Sequence, residues 1–376
     1  QRALLHRLPG AQLGTIVGEH RSDGFARKGQ AATRNIAYLR LAEIQARLDE
    51  ERSQQRLLFY TIDADQTFTV DVQTAEGPRP VQALNYFYWI DRLFDRGTVE
   101  VMTGKVVGDP PVSPAVMTGN FLEDVLCFLR GMCGLDPEAA YRQPADDSLG
   151  ADEAAYHDMA QLFGFSGQSA AYRYRCRKQG EPSNVDCFIE FARHLNSFLH
   201  GGHPTRVTWF RYQSAPTSLH PARTVYTGNY VFNAAALRWF IPFAPLRLRM
   251  SGPTLGRMLK AALGAGFAAV NLPMQHRRTL TLTRESEFRP GVLSSDAGTD
   301  MTDEMERQFY GDVMLFSVER LSAQGYPGRA VERAQGAPVH DAVHAQLSET
   351  NRERRAQIAN PRDAVRALQD GSAAWW

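Results

Sequence analysis

The chain is short of cysteine, of long apolar runs and of net charge, and each shortage removes a class of protein. Only Cys127, Cys133, Cys176 and Cys187 occur in 376 residues. None forms a CxxC pair or stands at zinc-ligand spacing from a histidine, so a zinc site is not indicated and thiols in a reducing compartment are expected. No stretch approaches the roughly 20 apolar residues that a membrane span requires. The best candidate, 237–250, is broken by Pro242, Pro245, Arg247 and Arg249. No signal peptide is visible, and a cytoplasmic location is expected. A formal net charge of +1 speaks against a dedicated nucleic-acid or membrane-surface binder, whose affinity needs a basic excess. There is no internal repeat and no low-complexity tract.

What is present is an apolar share of 43%, enough for a sizeable core in two or three domains, or in one α/β domain with an appendage. Residues 1–8 read as the end of a helix and 12–17 (QLGTIV) as a short strand. A polar loop, 18–24, follows. Residues 31–50 carry Ile36, Leu39, Leu41 and Ile44 near helical spacing. The run 56–62 (RLLFYTI) is nearly continuous in apolar residues, the signature of a strand buried on both faces. This order implies parallel pairing and an α/β layer architecture. Further on, helices are expected at 84–94, 121–132 and 254–263, and strands at 99–107, 207–212 and 280–283. Residues 108–111 (GDPP) form a breaker cluster. A more polar insertion is read at about 137–182. From about 304 the chain becomes charged and helical, with Met305, Phe309, Val313, Phe316 and Leu321 near helical periods. That tail is expected to pack outside the main layers.

The chemistry-bearing motif is Asp63-Ala64-Asp65, directly after the apolar run. Aspartates at i and i+2 of a strand end point to one side. There they can hold one hard divalent cation through oxygen ligands and leave positions open for diphosphate oxygens. Such a cation neutralises charge on a departing nucleoside diphosphate. The carboxyl end of a sheet strand is also where open α/β sheets bind ligands. A bare DxD is common by chance; two solvated loop aspartates are the ordinary explanation of one standing alone.

This one has company. Arg21-Ser22-Asp23-Gly24 is followed by Gly29-Gln30-Ala31-Ala32-Thr33-Arg34-Asn35, then by Ile62-Asp63-Ala64-Asp65, Thr227-Gly228-Asn229 and Leu272-Pro273-Met274-Gln275-His276. In order and spacing these segments, over roughly residues 12–283, resemble the family-2-like glycosyltransferases that use nucleotide sugars. The resemblance implies the GT-A fold, a Rossmann-like nucleotide-diphospho-sugar transferase fold. It would have a mixed, mainly parallel sheet, flanking helices and a helical C-terminal extension. It divides the chain into a nucleotide-sugar-binding half (1–110), an acceptor-side half (111–284) and the extension (285–376). The family's first strand is expected upstream of residue 1.

The same resemblance implies the site. Asp63, Asp65 and His276 would hold Mn²⁺ or Mg²⁺; a neutral imidazole suits the mixed shell that Mn²⁺ accepts. Glu19, Gly29, Arg34 and Asp63 would hold the nucleotide of a UDP- or GDP-sugar. Thr227, Gly228 and Asn229 would face the donor sugar. Residue by residue, Glu19 accepts well from a base N–H, Gly29 allows close approach, and Arg34, with Lys28 beside it, suits a diphosphate. One departure stands out: Gly252-Pro253-Thr254 lies where inverting relatives carry an acidic general base, and Thr254 cannot serve. Asp109, Glu123 and Asp124 are weak substitutes, since acids near helix starts also favour the macrodipole. Tyr86, Tyr88, Trp89, Trp209 and Phe210 are candidates for a sugar groove, although aromatics at these spacings are more often core. Arg277 and Arg278 suit phosphates or solvent.

The function expected is therefore transfer of a hexosyl unit from a UDP- or GDP-sugar to a hydroxyl acceptor, with no nucleic-acid partner and no membrane span; the oligomeric state, homo-oligomer or monomer, is open. Two rivals remain at this level: a nucleotidyltransferase on a related sheet, and a degenerate transferase domain acting as a binding module.

Overall fold

A computed structural model of the chain describes residues 10–17, 29–51, 56–108, 114–143, 174, 176, 178–199, 202–205, 210–225, 228–240, 246–276, 287–290, 302–325 and 336–376. It begins with α1 (Gly10–Val17) and α2 (Gly29–Glu50). Residues 12–17 are therefore helical, a correction to the strand expected there. Leu13, Ile16 and Val17 stand at helical spacing and pack on Ile36 and Leu39 of α2, while the buried Asn35 side chain donates to the Ile16 carbonyl at 2.8 Å. Apolar period outweighs the β-branched composition that suggested a strand.

Strands β1 (Leu58–Ile62), β2 (Gln66–Thr67), β3 (Val70–Thr74) and β4 (Gly77–Val81) follow, then α3 (Tyr86–Asp95) and β5 (Val101–Gly108). After α4 (Pro114–Met132) come α5 (Asn184–Leu199), β6 (Gly202–Thr205), the single turn α6 (Ala215–Ser218), β7 (His220–Pro221) and β8 (Asn229–Asn233). The last elements are α7 (Ser251–Leu263), β9 (Phe267–His276), β10 (Glu287–Pro290), α8 (Thr302–Ala323) and α9 (Gly336–Asp370).

The main sheet runs β1-β8-β5-β9, with β7 and β2 both on the far side of β9. Among the described strands of this sheet only β5 and β9 pair in parallel; β1·β8, β5·β8, β2·β9 and β7·β9 are antiparallel. The sheet is mixed, as expected, but not mainly parallel. β8 threads back between β1 and β5 and reverses both of those pairings, and on the other side β2 and β7 run against β9. Strands β1, β5 and β9 still run in one direction, so their carboxyl ends share one edge.

Helices cover both faces. Phe59, Val101, Tyr230, Phe232 and Phe267 point toward α2 and α7, where Tyr38, Leu41, Leu255 and Leu259 meet them. Their strand neighbours Met102, Val231 and Ala268 point the other way, onto Ile90, Leu93 and Phe94 of α3. The apolar run of β1 is explained by this double cover, since Leu58 and Tyr60 lean on the α3 side and Phe59 on the other. The strand itself lies at the end of the sheet order.

The C-terminal part is helical, as expected: α8 packs on α7 and α9, and α9 packs on α4. Trp375 returns to donate its indole N–H to the Met132 carbonyl at 2.9 Å. Beside that contact Cys176 and Cys187 form a disulfide, packed with Met132, Tyr174 and Phe191. This corrects the expectation that all four cysteines are thiols; the pairing joins positions that no CxxC spacing announces. Among the described residues no helix is long and apolar enough to cross a membrane. The strand expected at 280–283 lies outside the described residues. So do residues 207–209 of the one expected at 207–212, whose remainder, 210–212, is not in a strand.

Candidate functional site

The site forms around the turn that follows β1, beside the last residues of β9. Asp63 follows the last residue of β1, and the backbone turns at once, the Gln66 N–H donating to the Asp63 carbonyl at 3.1 Å. Gln66 then pairs with His276 at the end of β9. Residues 63–65 thus form the connection from β1 to β2, which pairs on the far side of β9.

This connection separates the two aspartates. Asp65 meets His276, its Oδ2 lying 3.1 Å from Nε2. The imidazole is buried, with 5% of its side chain exposed, whereas the Asp65 carboxylate is open, at 54%. Asp63 turns instead to α2, where Arg34 donates to its carboxylate oxygens at 3.4 and 3.5 Å. Behind that pair Tyr38 and Tyr230 share a hydroxyl–hydroxyl hydrogen bond. Burial first, and then Tyr230, push the Tyr38 hydroxyl well above the ordinary phenol range. It stays neutral and serves as a packed support for the charged pair.

Gly228, just before β8, lies against Asp63. Its φ is +76°, and a Cβ there would stand 2.4 Å from the Asp63 Cγ and 2.6 Å from its backbone nitrogen. Only glycine admits both the left-handed backbone and this approach. At the end of β5, Gly108 has φ +85°, and a Cβ would meet the Gln275 amide and the His276 carbonyl, each at 2.4 Å. The rim is therefore close-packed backbone, with Asp65 the acid that projects from it.

Several expected residues have other work. Asn229 is 2% exposed. Its amide donates to the Lys105 and Leu272 carbonyls, each at 2.9 Å, and its oxygen accepts from the Tyr60 hydroxyl at 3.0 Å. It fills the irregularity where the β5–β9 register shifts between Thr103 and Lys105, so its side chain belongs to the sheet and not to a sugar pocket. The Thr254 hydroxyl donates to the Met250 carbonyl at 2.7 Å inside the buried first turn of α7. Glu123 is exposed on α4, whose main contacts are α5, α8, α9 and β6 rather than the main sheet. Tyr86 and Phe210 are core, Tyr86 donating to the Pro273 carbonyl. Trp89 is half-buried and Tyr88 exposed. Gly29 opens α2 and Asp124 lies within α4. Glu19, Lys28, Asp109, Trp209, Thr227, Arg277 and Arg278 lie outside the described residues.

Among the described residues no three His, Cys, Asp or Glu side chains form a metal-ligand set. The expected trio is corrected to a pair, Asp65 with His276, because Asp63 is held by Arg34. One oxygen and one nitrogen donor suit a borderline cation such as Mn²⁺ better than Mg²⁺, which prefers oxygen throughout. A cavity of about 970 Å³ opens elsewhere, lined by Phe128, Met132, Tyr141, Arg142, Tyr174 and others, none of them from the carboxylate rim. Set against known proteins, the chain matches no family model, no curated protein and no solved structure.

Proposed function

We propose that this chain is a divalent-cation-dependent glycosyltransferase of GT-A type, moving a hexosyl unit from a UDP- or GDP-sugar to a hydroxyl acceptor. The observation that supports it best is the meeting of Asp65 and His276, 211 residues apart in sequence and 3.1 Å apart at the carboxyl edge of the sheet. A chance DxD in a solvated loop has no reason to meet a buried histidine at the edge where α/β sheets receive ligands.

In this reading Asp65 and His276 hold the cation, whose chemistry is to neutralise charge on the departing diphosphate. Arg34 orders Asp63 and adds a fixed positive charge behind it. Gly228 keeps the donor side of the rim free of a side chain. The cation-holding pair has one buried and one open member, so the histidine stays in position while the carboxylate reaches the ligand. No general base is assigned, since Thr254 is committed to its helix turn.

The test is a thermal-shift and hydrolysis panel of nucleotide sugars with Mn²⁺ against chelator, on the native chain and on Asp65→Ala. Ligand stabilisation follows mass action. The native chain should show metal-dependent stabilisation and slow donor hydrolysis, and the variant should lose both with its own melting temperature nearly unchanged. Full activity in Asp65→Ala, or pyrophosphate release from a nucleoside triphosphate in place of sugar transfer, would overturn the reading.

A further inference from the structure

We infer that His340 and His344, on the solvent side of α9, form a two-imidazole chelate for a borderline divalent transition-metal ion such as Zn²⁺. The site is distinct from the Asp65–His276 pair and does not rest on the glycosyltransferase reading.

The two histidines stand one helical turn apart, and their rings lie together, with centroids 4.3 Å from each other. Spacing i, i+4 puts both side chains on one face of a helix. It is the spacing by which a single helix offers two imidazoles to one zinc ion. Both residues are exposed, and His340 keeps 69% of its side chain open. The phase of α9 explains this. Ala342 and Gln346 are buried. Each lies two positions past a histidine, and so on the far side of the helix from it. Gln346 also accepts from Arg320 of α8 at 3.3 Å. The packed side of α9 is thereby committed to α8, and the histidines are left outward, where neither ring serves the core.

Asp341 gives the pair a direction. Its carboxylate lies 3.6 Å from Nδ1 of His340. A metal-bound imidazole turns one nitrogen to a carboxylate and the other to the ion, so Nε2 of His340 is the donor that faces the metal. The donor type selects the ion. Two neutral ring nitrogens suit Zn²⁺ and Ni²⁺, whereas Mg²⁺ and Ca²⁺ want shells of oxygen. Structural zinc takes four protein ligands. A pair leaves positions to water, in keeping with the lack of any three-residue ligand set among the described residues, and makes the site open and exchangeable. Cysteine has no part in it, so the spacing of the four cysteines gave no sign of it. An ion shared by both rings also ties the turn of α9 that seats Gln346 on α8.

The experiment is isothermal titration of the full chain with Ni²⁺ and Zn²⁺, with Mg²⁺ and Ca²⁺ as hard-ion controls. The deciding variant exchanges residues 344 and 348, His344→Ser with Ser348→His. It keeps composition and helix face but sets the two rings two turns apart, about 12 Å along the axis. Both positions are exposed, so the fold should be kept, and His344→Gln provides an independent single change. The native chain should bind Ni²⁺ and Zn²⁺ saturably. Affinity should fall on the order of a hundredfold in both variants, since the second imidazole no longer acts at high effective concentration. Asp65→Ala should retain this binding. All other ligands are common to the native chain and the exchanged variant, so their difference reads the chelate alone. Equal affinity in those two, Mg²⁺ bound as tightly as Ni²⁺, or loss of all Ni²⁺ binding in Asp65→Ala would overturn the inference.

Discussion

Gly228 and Asp63 are packed so closely that the glycine's missing Cβ would lie 2.4 Å from the aspartate's Cγ. The first aspartate of the motif is thereby fixed by a loop that precedes β8, as well as by Arg34. Replacing Gly228 by alanine adds left-handed backbone strain of about 1–2 kcal/mol and forces Asp63 off Arg34. The expected outcome is a melting temperature lower by a few degrees and loss of metal-dependent nucleotide-sugar binding. Retention of both, by thermal shift and isothermal titration, would contradict the packing.

Asn229 should behave as a residue of the core. Asn229→Ala leaves the Lys105 and Leu272 carbonyls and the Tyr60 hydroxyl without their partner inside the sheet. Buried polar groups left unpaired cost about 1–3 kcal/mol each, offset in part by relaxation, so a loss of roughly 2–4 kcal/mol is expected. The check is the urea midpoint. A normal midpoint with impaired turnover would return Asn229 to the sugar side.

The ion pair between Arg354 of α9 and Asp312 of α8 gives a pH signature. Burial holds the Asp312 carboxyl above the usual carboxylate range, opposed by Arg354 and by the Gln308 amide, which donates at 2.7 Å. A raised folded pKa means that the native state binds the proton more tightly. This carboxyl's contribution is therefore full below the unfolded value and is lost as pH rises through the folded one. Arg354→Ala removes the chief opposing charge and raises that pKa further. The variant should lose about 2 kcal/mol near neutrality, less than for a fully enclosed pair because Arg354 is partly in solvent. The loss should shrink on acidification. A pH-independent loss in chemical denaturation would reject the assignment.

The disulfide closes a short loop, with Cys176 and Cys187 separated by 11 positions. Chain-entropy reasoning gives about 3 kcal/mol for a loop of that size. Dithiothreitol, or Cys187→Ser, should lower the melting temperature by several degrees. Mass spectrometry after alkylation under non-reducing conditions should find Cys127 and Cys133 labelled and Cys176 and Cys187 not. Labelling of all four would restore the thiol reading.

Much of this was legible in the chain. The helix over α2 followed from Ile36, Leu39, Leu41 and Ile44 at helical spacing, and the strand β1 from its nearly continuous apolar run, although only Phe59 of that strand is buried. The motif and the late histidine mark Asp65 and His276 as candidate ligands, and the structure brings the two side chains within 3.1 Å of each other. Other elements were not legible. Residues 12–17 mix β-branched side chains with a helical period, and composition was the weaker guide. Phe87 was passed over for Tyr86, Tyr88 and Trp89 because aromatic type says nothing of exposure: helical geometry turns 86, 90, 93 and 94 inward and leaves 87 and 88 outside.

By itself the sequence determined the class of layers, the place of the DxD at the end of a strand, and the inventory of carboxylate, imidazole and aromatic side chains. These depend on periodicity and on residue chemistry, which are local. Only the tertiary structure decided that β8 returns between β1 and β5, that Asp63 pairs with Arg34 while Asp65 pairs with His276, that Asn229 stays in the sheet, and that two cysteines join. Each of those rests on contacts between distant positions, such as Tyr60 with Asn229 at a separation of 169 residues. A hydrogen bond of that reach depends on strand order and register, and no short window of sequence contains either.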